Sequence, residues 1–441
     1  MSPQADRDAR RLTPRGQATR DRIVAAAADV IVETGLSGLN NEALRRAASV
    51  SGSQLAHYFP DKRALIGAVL AKQIDVVLDF HRQPRLGGWE SLDDFETWIN
   101  LNMRYLRRIG YEGTPTYHAL AAQLAKSDAQ TRAALAEGYW AWISFFEKVI
   151  QHLKNRRLLV AKADPRHLAT VLVATHQGCG AMAFTYRQEW PLADGLRFAV
   201  NHIRSFAADP AQRVPRPPRR ARHRVAAGPG GEVLEAHFTP KGRETRARII
   251  DATANLMFHR GALGTSVEDV RAAAGVSGSQ ISHYFRDKDD LTREVIAARR
   301  SQVRGFHTNP KFSRFDSIAS LRKWAQACVA DIDTVYLRGG CVYGSLAGEL
   351  LESDEAIRAD LAAGYEEWID IFCSGLTAMQ RRKDLVPDAS TRHLAASLVI
   401  AHQGGAMLTH VTGARDPLRD NVTAAVNYVR SFTPQAAKRS R

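Results

Sequence analysis

The chain repeats itself once along its length. A segment that begins at Thr13, TPRGQATRDRI, returns at Thr239 as TPKGRETRARI, an offset of 226 residues. The same offset relates SGSQLAHYFPDK from Ser51 to SGSQISHYFRDK from Ser277, with no gap between them. Each unit has about 200 residues, which is too long for the stacked modules of a solenoid. The sequence therefore predicts two related units side by side in one chain.

Both units are predicted to be all-α. In the first unit, apolar residues recur at helical spacing over residues 17–34, and Gly35 supplies a stop. Asn40 or Asn41 can cap a short helix, and Asp61 can cap a longer one further along the chain. No apolar alternation of strand length interrupts this pattern, so we expect about nine helices in each unit.

Two short helices joined by a tight turn form a helix-turn-helix signature in each unit. They span Glu42–Ala48 and Gly52–Phe59 in the first unit, and Glu268–Ala274 and Gly278–Phe285 in the second. Alanines stand where the two helices must approach, and an apolar residue in the turn, such as Val50, can pin the pair to the preceding helix. His-Tyr-Phe followed by Asp-Lys occurs in both units at the same spacing, which makes the signature specific.

At these residues the chain resembles the tetracycline-repressor (TetR) family of bacterial regulators, and the resemblance covers about 13–206 and 239–432. Family members carry a pattern like A-G-V-S-x-G-x-x-Y-x-Y-F-x-x-K-x-x-L in this segment. The matching residues are Val50, Ser51, Tyr58, Phe59, Lys62 and Leu65 in the first unit and Gly275, Val276, Ser277, Tyr284, Phe285, Lys288 and Leu291 in the second.

Both units also depart from the family pattern. Ser49 replaces the turn glycine in the first unit only. Ser53 and Ser279 replace a glycine that the family usually carries, and Ala56 and Ser282 replace its first tyrosine. That tyrosine often touches a phosphate in the family, so the resemblance does not supply this contact here.

The resemblance implies that the second short helix of each unit enters the major groove of DNA. Glutamine can pair with adenine through two hydrogen bonds, and serine and histidine can bond to base edges or phosphates. Lysine at the start of the next helix suits a phosphate, as do the free N–H groups there. The predicted DNA-binding residues are Asn40, Asn41, Ser53, Gln54, His57, Tyr58, Lys62, Ser266, Ser279, Gln280, His283, Tyr284 and Lys288. The alternative for His57 and Tyr58 is simple packing within the small domain.

The resemblance also implies that the rest of each unit is a helical regulatory body, with a ligand cavity in its middle and a dimer interface along its last two helices. The candidate lining of the cavities is Trp98, Tyr105, Tyr117, Tyr139, Trp142, Phe146, His176 and Gln177, with Trp324, Tyr343, Tyr365, Trp368, Phe372, His402 and Gln403 in the second unit. We expect a small, largely apolar or aromatic ligand. The competing interpretation is that aromatic residues at helical spacing form an ordinary core.

Charge favours a polyanionic partner. The formal net charge is +15, and residues 1–22, residues 207–238 and the tail from Thr433 each contribute +3. Basic arms on a folded body are typical of nucleic-acid binding, with solubilising charge as the alternative. The predicted organisation is 1–12 disordered basic arm, 13–65 first helix-turn-helix domain, 66–206 first regulatory domain, 207–238 disordered Pro/Arg-rich linker, 239–291 second helix-turn-helix domain, 292–432 second regulatory domain and 433–441 basic tail.

Several other classes of protein are disfavoured. The sequence contains no run of about 18 apolar residues, which a membrane span would need, and no secretory signal is visible. We therefore expect a cytoplasmic protein. The four cysteines show no metal-ligand spacing, and the sequence predicts neither a metal nor a cofactor. A helical enzyme is the weaker alternative, because the common catalytic motifs are absent from the sequence. A DNA-coating architectural protein without a ligand is the other alternative.

The duplication itself predicts the stoichiometry. An ordinary member of the family has one helix-turn-helix in each chain and dimerises to read two half-sites. This chain has two, with the same outward residues, so we expect a monomeric pseudo-dimer on one near-palindromic double-stranded operator. A two-chain assembly in which like units pair is the alternative.

Overall fold

The computed structural model describes residues 12–110, 117–217, 238–350 and 354–439. Over these ranges the chain is helical, and the β-structure consists of one isolated bridge between Leu159 and Ala207. The all-α prediction is confirmed.

In the described part of the first unit there are nine α-helices and a 3₁₀ turn at Pro84–Trp89. The helices are α1 Pro14–Gly38, α2 Asn41–Ala48, α3 Gly52–Tyr58, α4 Lys62–Arg82, α5 Asp94–Ile109, α6 Tyr117–Leu124, α7 Ala129–Asn155, α8 Pro165–Tyr186 and α9 Trp190–Arg204.

The described part of the second unit repeats this order. Its helices are α10 Pro240–Arg260, α11 Val267–Ala274, α12 Gly278–Tyr284, α13 Lys288–His307, α14 Ile318–Ala330, α15 Gly344–Glu349, α16 Glu355–Arg381, α17 Thr391–Thr412 and α18 Asp416–Ser431. A π-helical turn at Ile332–Tyr336 extends α14. A further short helix, α19, spans Pro434–Arg439.

Side-chain caps explain where the first four helices begin. Thr13, Asn40, Ser51 and Asp61 each accept a hydrogen bond from a backbone N–H in the first turn of the helix that follows. Such caps satisfy donors that a helix N-terminus otherwise leaves unpaired. Helix α1 continues to Gly38, past the expected stop at Gly35.

The two units meet along a four-helix bundle of α8 and α9 with α17 and α18, which we call the seam. Gly178 of α8 and Gly404 of α17 lie where the two helix backbones touch. A Cβ atom on Gly404 would stand 1.7 Å from the carbonyl oxygen of Ala174, and one on Gly178 would stand 2.4 Å from that of Ile400. Both positions therefore require glycine.

The seam has an approximate two-fold symmetry. His167 Nδ1 lies 3.0 Å from Asp420 Oδ2, and His393 Nδ1 lies 3.4 Å from Asp194 Oδ1. The members of one pair are offset by 226 residues from the corresponding members of the other. Equivalent surfaces of the two units thus face each other, as the subunits of a homodimer do.

The chain stays ordered past the predicted end of the first regulatory domain at residue 206. Pro210–Arg213 forms a 3₁₀ turn. The Arg216 N–H donates to Asn201 Oδ1 at 3.0 Å, and the Arg216 guanidinium donates to Asp93 Oδ1 at 3.0 Å. These contacts hold the segment against the first unit, whereas its Pro- and Arg-rich composition predicts disorder. Residues 218–237 of the predicted linker and 1–11 of the predicted arm lie outside the described residues.

Candidate nucleic-acid interface

Helices α1–α3 form what we call the first head, and α10–α12 form the second head. The turn between α2 and α3 requires a left-handed backbone, which Ser49 adopts with φ 51° and ψ 53°. Gly275 takes the same conformation in the second head, with φ 62° and ψ 44°. Because glycine adopts this region without strain and serine does not, the first head carries a small conformational cost that the second lacks. The helix-turn-helix geometry is present in both.

Apolar residues and one arginine hold each helix pair in place. Leu55 and Phe59 are buried in the first head, as are their counterparts in the second. The Arg22 Nε–H of α1 donates to the carbonyl oxygen of Ala48 at 3.1 Å, at the C-terminal end of α2. Arg248 and Ala274 repeat this bond at 3.0 Å. These arginines were not singled out from the sequence, although their 226-residue spacing was visible there.

The predicted base-reading residues share one exposed helix in each head. Ser53, Gln54 and His57 are exposed on α3, and Ser279, Gln280 and His283 are exposed on α12. An exposed helix with small and polar side chains at its N-terminal end fits the major groove. Their roles in base reading stay predictions.

The two glutamines also have a structural role, which was not predicted from the sequence. Gln54 Oε1 accepts from the Ser51 N–H at 2.9 Å, and Gln280 Oε1 accepts from the Ser277 N–H at 2.8 Å. Each glutamine thus completes a capping box at the start of its helix. Bidentate pairing with adenine needs the same oxygen, so base reading by Gln54 requires this bond to be exchanged on binding.

The tyrosines that follow are half-buried rather than fully outward. The Tyr284 ring contacts that of Phe238 at 5.3 Å, and its hydroxyl lies beside Gly242 at the start of α10. Tyr58 is half-buried at the matching place. A hydroxyl at the edge of the head can reach a phosphate, and this role stays a prediction.

The remaining predicted phosphate contacts lie at helix starts. Lys62 Nζ donates to the carbonyl oxygen of Leu36 at 3.3 Å, and Lys288 Nζ donates to that of Ala262 at 3.4 Å. Both lysines are exposed, so the same ammonium group remains accessible to an anion. Asn40 and Ser266 cap α2 and α11 through their side-chain oxygens, and Asn41 is the first residue of α2.

Most of the predicted ligand-pocket residues are buried, and their rings pack against one another. Trp98, Trp142 and Phe146 contact each other or His176 in the first body, and Trp324, Trp368 and Phe372 repeat this around His402. Tyr117, Tyr139, Tyr343 and Tyr365 are also buried. Tyr105 is only half-buried, and Arg108 lies over its ring.

Two histidines at the ends of α4 and α13 organise these clusters. The Trp142 Nε1–H donates to His81 Nε2 at 2.7 Å, and the Nε1–H groups of Trp368 and Trp324 approach His307 Nε2 at 2.9 and 3.1 Å. Sequence reasoning did not single out either histidine. Their 226-residue spacing at the end of the same helix was the available signal.

The polar partners of the pocket candidates are also defined. His176 Nε2 lies 2.8 Å from Asn102 Oδ1, and Gln177 Oε1 accepts from the Tyr139 hydroxyl at 2.7 Å. Gln177, Gln403 and Tyr365 line a cavity of about 20 Å³ between the two units, a volume suited to a single water molecule.

Buried histidines predict a loss of stability on acidification. Burial lowers the pKa of His307 and His410 to about 4 and that of His202 and His402 to about 3. Between pH 6.5 and these values the unfolded chain binds protons that the folded chain does not, so the free energy of unfolding decreases as the pH falls. Each histidine contributes up to about 1.4 kcal/mol per pH unit. We expect a clearly lower urea midpoint at pH 5 than at pH 7, and equal midpoints would contradict the burial of these rings.

Comparison with known families identifies the two heads. The family model described as bacterial regulatory proteins, tetR family, matches residues 23–69 and again 249–295. The chain belongs to the tetR family. A second model, described as a tetracyclin repressor-like C-terminal domain, matches residues 317–425. This tetR-family chain thus carries two tandem units, and it is a helix-turn-helix DNA-binding regulator of transcription.

Individual relatives match about one unit of the chain. The HTH-type transcriptional repressor DhaR from Mycobacterium sp. (strain GP1) is 25% identical over 182 residues, which cover 40% of this chain and 88% of that repressor. The HTH-type transcriptional repressor KstR2 from Rhodococcus jostii (strain RHA1) is 22% identical over 151 residues, 34% of this chain and 74% of KstR2. The solved regulatory protein TetR from Rhodobacter sphaeroides is 21% identical, with a TM-score of 0.39 over 42% of this chain and 98% of its own.

Two features are absent from the described part of the chain. In the part of the chain that the structure describes, no helix has the length and apolarity that crossing a membrane requires. Within the same residues, no group of three or more His, Cys, Asp or Glu side chains is arranged to hold a metal ion.

Proposed function

We propose that this chain is a ligand-responsive repressor whose two heads read the two halves of one near-palindromic operator. The observation that carries the proposal is the agreement of the two exposed helices, which share Ser-Gly-Ser-Gln and His-Tyr and differ on their exposed side only at Ala56 and Ser282. Two domains that bound unrelated sequences would have no reason to keep the same outward residues. Two halves of one palindrome reader must keep them.

The seam supports a pairing of the heads within one chain. It brings α8 and α9 against α17 and α18 with approximate two-fold symmetry, as palindromic half-sites require. Covalent connection raises the effective concentration of one unit near the other to the millimolar range. The single chain then does what two chains of an ordinary regulator do.

Selection of DNA from a random pool tests the proposal. We expect enrichment of a near-palindrome with two like half-sites about one helical turn apart, ~34–36 Å. Enrichment of two unrelated half-sites would contradict the reading of one palindrome. A pool without any enrichment would contradict sequence-specific binding.

The lysines at the starts of α4 and α13 are expected to contribute equally to the binding of all DNA sequences. Lys62→Ala or Lys288→Ala removes one phosphate contact, so affinity should fall on specific and nonspecific DNA together. The slope of log K against log salt should become about one unit less steep for each substitution. Measurement of affinity over a salt series gives this slope. A change in sequence preference with an unchanged slope would assign these lysines to base reading instead.

The proposal includes a response to a small-molecule ligand. Regulators of this family bind small molecules as well as DNA. Trp98 Nε1 and His402 Nδ1 are buried in the aromatic clusters without a hydrogen-bond partner among the described residues, and buried polar groups are normally paired. In each cluster, a largely aromatic ligand with one or two polar groups would satisfy the unpaired group. It would release DNA only by favouring a head spacing that mismatches the groove.

A DNA-binding regulator without a ligand is the second candidate, and the tight mutual packing of the aromatic rings favours it. A screen of small molecules for thermal stabilisation, followed by operator titration, separates the two. A compound that both raises the melting temperature and weakens operator binding supports the ligand-responsive repressor. Stabilising compounds that leave operator affinity unchanged would support the ligand-free candidate.

A further inference from the structure

A buried ion pair joins the two units outside the seam. Lys126 follows α6 of the first unit, and Glu349 ends α15 of the second. Lys126 Nζ lies 2.8 Å from Glu349 Oε1, and the two side chains are only 4% and 3% exposed. Charges so deeply buried are rarely tolerated unless they are paired.

The second unit supplies further partners around this pair. Lys126 Nζ also donates to the carbonyl oxygen of Met257 at 3.3 Å and to Ser345 Oγ at 3.0 Å. Glu349 Oε2 accepts from the Ala262 N–H at 2.5 Å. Met257 and Ala262 flank the end of α10, so the lysine of the first unit reaches the base of the second head.

The duplication does not repeat this pair. The 226-residue offset sets Gln123 at the position of Glu349, and it sets Glu352 at the position of Lys126. Two first units paired with each other would therefore bury Lys126 opposite Gln123, without a counter-charge. Two second units would have Glu352 in place of Lys126, so Glu349 would lose its positively charged partner.

A second buried contact between the two units is also not repeated by the duplication. The Thr175 hydroxyl of α8 donates to Asn421 Oδ1 of α18 at 3.0 Å, and both residues are fully buried. Their counterparts are Ala401 and Gly195, neither of which has a polar side chain. A pair of like units would leave either Thr175 or Asn421 without this partner, and an unmade buried hydrogen bond is costly.

We infer that the contact surface between the units is specific for unlike partners, so that a first unit accepts a second unit and rejects another first unit. The symmetric features of the seam do not discriminate, because Gly178 and Gly404 are equivalent and each unit has its own histidine and aspartate there. Discrimination therefore rests on contacts that the duplication does not repeat, among them Lys126 with Glu349 and Thr175 with Asn421. This inference concerns pairing alone and does not depend on DNA binding.

Full-length chains in which one charge of the Lys126–Glu349 pair is reversed test this inference. A Lys126→Glu chain places two carboxylates together within the chain, and a Glu349→Lys chain places two ammonium groups together. Each alone should show a lower melting temperature than the wild type. Coexpressed with different tags, the two should form a two-chain particle of about 97 kDa, twice 48.7 kDa, because exchange of units restores opposite charges at both contacts.

The Lys126→Glu/Glu349→Lys double variant is the matched control in one chain. Its melting temperature should lie between those of the single variants and the wild type, since Met257 O and the Ala262 N–H still favour the native signs. Light scattering with tag-specific detection should find both chains in equal amounts in the 97 kDa particle. The inference is overturned if the melting temperature of the double variant is no higher than those of the single variants. It is also overturned if the coexpressed chains stay separate, or if the particle contains one kind of chain only. Variants that fail to fold alone are still tested by coexpression and by the double variant.

Discussion

Replacement of Gly404 by alanine is expected to disrupt the seam and to lower the free energy of unfolding by about 3 kcal/mol or more. The added Cβ would stand 1.7 Å from the carbonyl oxygen of Ala174 and 3.0 Å from the backbone nitrogen of Gly178. Backbone atoms of a packed helix cannot move aside as a flexible side chain can, so α8 and α17 must separate. Chemical denaturation monitored by circular dichroism measures the loss.

Gly305→Ala is the matched control. Gly305 lies within α13, and a Cβ atom there would meet nothing within 4 Å. Alanine in an open helical position stabilises by up to about 1 kcal/mol relative to glycine. If Gly404→Ala were as stable as Gly305→Ala, the close contact of α8 with α17 would be wrong.

Replacement of both Gln54 and Gln280 by glutamate is expected to weaken specific operator binding by roughly 30-fold to 3 × 10⁴-fold, from about 1–3 kcal/mol at each head. Glutamate keeps the capping box, because its carboxylate accepts from the Ser51 or Ser277 N–H as the amide oxygen does. It cannot donate to a base, and its charge repels phosphate. The substitution therefore separates base reading from helix capping, which alanine would not.

Gln151→Glu controls for the change in charge. Gln151 is exposed on α7, in the body rather than in a head. We expect this variant to bind the operator as the wild type does. Wild-type selectivity in the Gln54→Glu/Gln280→Glu variant would place the base-reading residues elsewhere.

The helix-turn-helix was predictable because its signals are local. Ser51 and Gln54 stand three residues apart before an apolar position, and Val50 sits in the turn, so the sequence alone sets the helix boundaries to within a residue or two. The duplication repeated each of these signals and removed most of the ambiguity. What the sequence did not reveal was that Gln54 uses its own amide oxygen in the cap.

The interior was less predictable because its contacts are tertiary. Helical spacing places Trp142 and Phe146 on one face of α7, but it cannot show whether the space they face is open or filled. The structure places His81, from the end of α4, against both rings. Arg216 is a similar case, since composition predicted disorder there, and one of its acceptors, Asp93, precedes it by 123 residues.

The mass of the complex with the selected operator tests the central claim most directly. We expect one chain of 48.7 kDa on each duplex, with protection of both half-sites about one helical turn apart. The double variant Gln54→Glu/Gln280→Glu should not form this complex at the same concentration. Two chains on each duplex, or one chain protecting a single half-site, would contradict the reading of a palindrome by one chain.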